Sequence, residues 1–387
     1  MSDVTTTEAP KRRRPRDRKQ QIVSAAAELF DDKGFHNVTM SELAQQVGIT
    51  AGALYRHFSS KAELLDAVLT DLFERVYATG TEALSLEEMM DLRAQVAAEH
   101  PMLGTLWSRE SRNLEPAARE RHADRLRREH RAYSDALKRE RPELSESAAT
   151  FLAWAMLSNL AAPTSHVHAL SKSEQAHVVS AACRELAKLD LPEGAEPARI
   201  GGIGLSPVSK REKILTAAGR LFGQHGYEAT SVADIGAAAD VTGPSLYTYF
   251  ESKSDILAAV LGRADNALWI DLRVALQTSS SVDEALTRAV GSYIRLGRSQ
   301  PYIISVLVAD NRELPADLHT RQLDYLHEWV ALLMQIRPGL KRAVAYALVL
   351  ATIRTINDLS RTHGVVTRPD FVDSTAAIAR AVLHTPV

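Results

Sequence analysis

Apolar residues recur at helical spacing near the start of the chain and again just past its middle. Ile22, Ala25, Ala26, Leu29 and Phe30 share one face of a 3.6-residue helix, and Ile214, Ala217, Ala218, Leu221 and Phe222 repeat that face. Both helices are predicted to be amphipathic and to face a core. Asp17 with Gln20, and Ser209 with Glu212, have the spacing of capping boxes, and Gly34 and Gly226 supply stops. A second, short helix is predicted from Thr39, with Glu42 three residues on, to about Val47, and again from Ser231, with Asp234, to about Ala239. Gly48 takes a left-handed turn at little cost, and Asp240, in the same place in the second copy, is one of the few other residue types that tolerates it. Thr50 and Thr242 are then predicted to cap a third helix.

The repetition extends well beyond one helix. Leu54-Tyr55-Arg56-His57-Phe58 falls on Leu246-Tyr247-Thr248-Tyr249-Phe250 without a gap, and Lys61 falls on Lys253. Farther on, His100-Pro101 meets Gln300-Pro301, and Arg141-Pro142-Glu143-Leu144 meets Arg337-Pro338-Gly339-Leu340. Two complete all-helical units are therefore expected, joined by a flexible linker at residues 191–208, which contains Gly201-Gly202-Ile203-Gly204. The expected divisions are a basic arm (1–17), a first head (18–75), a first regulatory region (76–190), the linker, a second head (209–265) and a second regulatory region (266–387).

Composition narrows the function. With 387 residues, 45% of them hydrophobic, there is ample material for two to four cores. Lys+Arg 46 against Asp+Glu 48 leaves a formal charge of -2, so any nucleic-acid binding must come from local clusters. A single cysteine, Cys183, excludes an intramolecular disulfide and a multi-thiolate zinc site, and with no apolar leader a cytoplasmic location is expected. Residues 147–171 carry no Asp, Glu, Lys or Arg, yet Asn159, Pro163, His166 and His168 favour a buried helix ending near Pro163 over a membrane span.

Two short helices joined by a tight turn, behind a longer scaffold helix, form the helix-turn-helix arrangement that seats its second helix in the major groove of duplex DNA. Here the pattern occurs twice, each time followed by Leu-Tyr-x-x-Phe-x-Ser-Lys, at residues 54–61 and 246–253. That combination resembles the TetR family of one-component bacterial transcriptional repressors, in the tandem form of regulators of actinobacterial lipid-import operons. The resemblance implies an all-α fold of two fused units, each a three-helix DNA-binding head with a helical ligand-binding and dimerisation domain, acting on a double-stranded operator and released by a small hydrophobic effector, with no cofactor or metal.

Within each head the residues divide by face. Leu54, Phe58, Leu246 and Phe250 are expected in the core. Thr50, Ala51, Gly52, Arg56 and His57 lie on or near the exposed face of the first recognition helix, where small residues admit bases and Arg56 can read guanine; a solvated Arg56 is the plainer alternative. The second head offers Thr242, Gly243, Pro244, Ser245, Thr248 and Tyr249 instead, with Pro244 tolerated in the first turn. Tyr55 and Tyr247 can give a hydroxyl to phosphate with the ring packed inward. Lys61 and Lys253 stand at a helix start where phosphate is favoured, and Thr39 and Ser231 combine a cap with a phosphate contact. Ahead of the first head alone runs a basic arm, Lys11, Arg12, Arg13, Arg14, Arg16, Arg18 and Lys19, suited to the minor groove or simply a solvated tail. Since Arg56 becomes Thr248, the heads should prefer different half-sites and the operator should be asymmetric.

The family resemblance also implies four-helix packing between regulatory regions. Residues 146–162 with 173–188, and 342–360 with 370–383, are the expected interface, so the chain can form an intramolecular pseudo-dimer, with pairing between chains left open. The large or polar residues within otherwise aliphatic helices of each unit are the ligand candidates: Trp107, Phe151, Trp154, Met156 and Asn159, then Tyr302, Trp329, Tyr346, Arg354 and Asn357. An enzyme is not expected, because no GxGxxG, P-loop, HExxH or G-x-S-x-G and no paired carboxylates are present. His166 and His168 diverge on a helix and have no Cys or carboxylate nearby, and only a loop after Pro163 keeps a metal reading open. A helical interaction module that has lost DNA binding is the third class, and it fits less well because both copies keep polar helix starts.

Overall fold

The heads begin where the chain can satisfy a helix start. In the computed structural model, which describes residues 15–77, 80, 84–162, 169–192, 207–309, 315–362 and 364–387, α1 runs Pro15–Lys33, with proline in the first turn, where its missing N–H costs nothing. Asp17 is therefore inside α1 rather than at its cap, and the basic run already turns helical before residue 18. Arg12, Arg13 and Arg14 lie outside the described residues. Then follow α2 (Met40–Val47), α3 (Ala51–Tyr55) and α4 (Lys61–Tyr77). The second unit repeats them as α10 (Lys210–His225), α11 (Val232–Ala239), α12 (Gly243–Tyr247) and α13 (Lys253–Thr278).

The regulatory helices of the first unit are α5 (Leu86–Glu99), α6 (Met102–Glu110), α7 (Pro116–Glu140), α8 (Glu146–Leu160) and α9 (Lys172–Ala187). Those of the second are α14 (Val282–Ser299), α15 (Pro301–Ala309), α16 (Ala316–Ile336), α17 (Arg342–Arg361) and α18 (Phe371–Leu383). All regular structure among the described residues is helical, and no described helix is long and apolar enough to cross a membrane. Helix α8 stops at Leu160, and Pro163, His166 and His168 lie outside the described residues. Helix α13 passes unbroken through residue 265, so the second head and its regulatory region share a rigid element where a boundary was expected.

Turn chemistry follows the sequence closely. Gly48 (φ 72°) and Asp240 (φ 55°) both sit in the left-handed region, closing α2 and α11. Thr39 and Thr50 accept hydrogen bonds from the backbone N–H of Glu42 and Ala53. Two predicted caps are only positional. Ser209 and Thr242 have extended N-cap backbones without a side-chain bond. Glu212, the expected partner of Ser209, is drawn instead to Arg263 on α13, 2.8 Å away.

Among the described residues three hydrophobic cores result. The first head packs Ile22, Phe30, Leu54, Phe58 and Phe73 with Leu103 and Leu106 of α6. The second head packs Ile214, Phe222, Leu246 and Phe250 with Ile303 and Val306 of α15. The third core draws on both regulatory regions at once, running from Leu86 to Leu383 in sequence. Its centre is a four-helix arrangement in which α8 and α9 pack on α17 and α18. At this seam Phe151 meets Phe371 at 6.3 Å between ring centroids, and Arg368 lies 5.0 Å over the Phe151 ring while donating to the Ser147 carbonyl at 2.8 Å. Because the apolar faces of the two regulatory regions are completed by each other, the units are joined by a core as well as by a linker.

Candidate nucleic-acid interface and effector cavity

On each head the recognition helix buries a single side chain, Leu54 or Leu246, and turns the rest outward. Thr50, Gly52 and Arg56 are exposed, with Ala51 and His57 half-buried beside them. Arg56 makes no side-chain hydrogen bond or ion pair among the described residues, so its guanidinium is available to a partner. In the second head Thr242, Gly243, Pro244, Thr248 and Tyr249 are exposed, and Ser245 is half-buried. Tyr55 and Tyr247 are more exposed than expected, at 53% and 57%, so their rings stand on the surface rather than packing inward. A Cβ built on Gly52 or Gly243 meets nothing within 4 Å. The fold does not need glycine there, which is the condition for a backbone that must approach an outside body closely.

Helix starts differ between the heads. In the second, Ser231 and Asp234 close a full capping box, with the Ser231 hydroxyl donating to the carboxylate at 2.6 Å. In the first, Glu42 pairs with Lys33 at 2.5 Å and reaches back only to the Thr39 backbone, and the Thr39 hydroxyl donates to no acceptor among the described residues. Thr39 can therefore add a donor toward phosphate more readily than Ser231 can.

Lys61 and Lys253 are placed differently from the expectation. The Lys61 ammonium donates to the carbonyls of Phe35 (2.6 Å) and Val38 (2.8 Å) and lies 4.4 Å over the Phe35 ring. Lys253 donates to the Tyr227 carbonyl at 2.8 Å and lies 4.1 Å over that ring. Burial lowers the Lys61 pKa from its ordinary value, with Glu110 opposing. These lysines clamp the turn before the second helix, and so fix how the helix pair is presented; they are not directed at a phosphate.

Each head is also tied to its regulatory region. On the first, Arg109 of α6 donates to the Asp31 carbonyl at 3.0 Å and pairs with its carboxylate at 3.2 Å. On the second, Tyr302 of α15 presses on α10 so closely that a Cβ at Gly223 would sit 2.6 Å from it.

A cavity of about 310 Å³ lies in the first unit, beneath the end of α4. Trp107 and Trp154 line it as expected, with Phe73, Tyr77 and Leu126, and its far wall is α17 of the second unit, which brings Arg354. The other candidates are placed elsewhere. Phe151 is at the seam, Met156 is buried with its carbonyl accepting from Cys183, and Asn159 is wholly buried with neither amide atom hydrogen-bonded among the described residues. Tyr302 packs on the second head, Trp329 is fully buried in a ring cluster, Tyr346 is 6.1 Å from His327, and Asn357 accepts from the Tyr293 hydroxyl at 2.9 Å. Size and polarity marked these residues, but packing claims them. Arg93, Asp358 and Arg361 line the cavity and were not anticipated. A signal for the first was present, since Arg93 stands where the aligned second unit has Tyr293.

Comparison with known proteins agrees with the repeat. The model of the bacterial regulatory proteins of the tetR family matches residues 22–68 and 214–260. The chain is 40% identical over 89 residues to the HTH-type transcriptional activator FasR of Mycolicibacterium smegmatis, covering 22% of this chain and 41% of FasR. It is 29% identical over 93 residues to the transcriptional repressor KstR2 of the same organism, covering 22% of this chain and 45% of KstR2. The chain thus spans less than half the length of these curated relatives. A TetR-family regulator from Bordetella parapertussis superposes on 46% of this chain and 93% of its own, at 23% identity and a TM-score of 0.40. The segment that defines the tetR family of bacterial regulatory proteins is thus present twice, so each of the two heads is a tetR-family DNA-binding segment and the chain carries them in tandem.

Proposed function

We propose that this chain is a ligand-responsive transcriptional repressor in the bacterial cytoplasm, whose two unlike heads grip one asymmetric operator and are released by a small hydrophobic effector. The observation that carries this reading is that two exposed recognition surfaces, different at matched positions, are held on one shared core. Arg56 and Tyr55 read and orient on the first half-site. Thr248 and Tyr249 replace Arg56 and His57 on the second, and the basic run before α1 adds minor-groove contacts to the first head only. The cavity supports an effector because its lining is largely aromatic and aliphatic and it touches α4, α6 and α17, which lead to both heads. A lipid-derived effector fits the tandem resemblance. Release requires that the effector prefer the off-DNA arrangement of the heads.

Selection from randomised duplexes tests the asymmetry. Two half-sites of different sequence are expected, and Arg56→Thr should relax preference at a guanine of the first half-site alone, by about 1 to 3 kcal/mol. A perfect palindrome, or an Arg56→Thr change that weakens all sequences equally, would remove the unequal-heads reading.

A further inference from the structure

The cavity differs from the matching region of the second unit in filling as well as in charge. Aligning the halves sets Tyr293 opposite Arg93, Tyr325 opposite Glu129, Trp269 opposite Tyr77 and Ile304 opposite Gly104. In the second unit the rings occupy that space themselves, with Trp269 and Tyr325 at 5.6 Å and Tyr293 and Trp329 at 5.9 Å between centroids. In the first unit, Arg93 is buried and held by the Val76 carbonyl at 2.7 Å and by Glu129 at 3.2 Å. Across the seam, Arg354 and Arg361 flank Asp358 at 2.7 and 2.6 Å. The Arg361 Nε is buried without an acceptor among the described residues. Among the described residues four arginines line the cavity, Arg93, Arg119, Arg354 and Arg361, against one carboxylate, Asp358. Arg119 is exposed and Arg93 is paired with Glu129, so the cationic excess lies with Arg354 and Arg361, which are largely withdrawn from water and share the Asp358 carboxylate; a chamber with apolar walls and that excess is complementary to an amphipathic anion.

We infer that the cavity takes an amphipathic carboxylic acid, its carboxylate held by Arg354 and Arg361 of the second unit and its hydrocarbon body lying against Phe73, Trp107 and Trp154 of the first. A volume of about 310 Å³ is at the lower end of small-molecule sites and suits a free acid of modest size. The consequence for regulation, though not the binding itself, rests on the proposed function. Arg354 now donates to the Gly104 carbonyl at 3.0 Å and to the Ser108 hydroxyl, tying α17 to α6. A carboxylate that recruits Arg354 loosens this tie, and α6 is the helix that holds α1 through Arg109. One acid per chain thereby changes how the first head is carried relative to the second.

Calorimetry on the full chain tests this with decanoate against 1-decanol and 2-naphthoate against 2-naphthol. At least one acid should bind at one site per chain, with its alcohol weaker by roughly ten- to hundredfold. Arg361→Gln should remove most of that preference while leaving alcohol binding unchanged, and Arg361→Lys should restore part of it. The stronger of the two acids identifies the body as a chain or a ring. Equal binding of acid and alcohol by the unmodified chain, or no binding of either acid, overturns the inference. An acid that binds with the Arg361 signature yet does not lower operator affinity upholds the site and removes the effector role instead.

Discussion

Gly52→Leu is expected to leave the melting temperature unchanged or slightly raised and to weaken operator binding about 30- to 3 × 10⁴-fold. The first half follows from the fold: a Cβ at Gly52 meets nothing within 4 Å, and leucine is a better helix former than glycine by up to about 1 kcal/mol. The second half follows from where the open space is. A bulky side chain on the exposed face of α3 would hold the backbone off the bases, and losing two good base contacts at about 1 to 3 kcal/mol each gives that range. Calorimetric melting and anisotropy on the selected duplex, at one fixed salt concentration, check it. Gly243→Leu should do the same at the other half-site. Undiminished affinity in both variants would mean that these helices do not face DNA.

Phe371→Ala is expected to cost about 3 to 5 kcal/mol, since the ring is fully buried at the seam and its removal leaves a cavity between the units. Because one core serves both regulatory regions, α8, α9, α17 and α18 should lose protection together in hydrogen exchange rather than one unit at a time. The functional signature is more specific. Heads fixed on a common core bind a composite operator with an avidity that a loosened seam forfeits, by about 10²-fold or more, whereas binding to an isolated half-site should hardly change. Equal loss on both duplexes would show that the seam does not set head spacing.

The repeat, the heads and their turns were legible because each is written locally. Thr39, Gly48, Thr50, Ser231 and Asp240 act through backbone groups a few residues away, so spacing alone reveals them. The seam helices were read from the family resemblance, which implies four-helix packing between the regulatory regions, and not from residue spacing alone. Lys61 was misread because its partners, Phe35 and Val38, lie more than twenty residues earlier in the loop between α1 and α2, and a helix-start lysine looks the same in sequence whether it faces phosphate or carbonyls. The cavity was the least legible part. Its walls come from five helices of one unit and one of the other, and Arg354 stood out by type while its partners, Gly104 and Ser108, could be known only once the units were packed. Trp329 and Asn357 illustrate the converse, conspicuous residues whose rings and amides are used up by Tyr325 and Tyr293.

The central claim is that one chain presents both heads to one operator. The mass of the complex on the selected composite duplex, measured by light scattering across a range of protein concentrations, tests it most directly. One chain per duplex is the predicted result. Two chains per duplex throughout the range would contradict it and make the fused chain a subunit of a four-headed assembly.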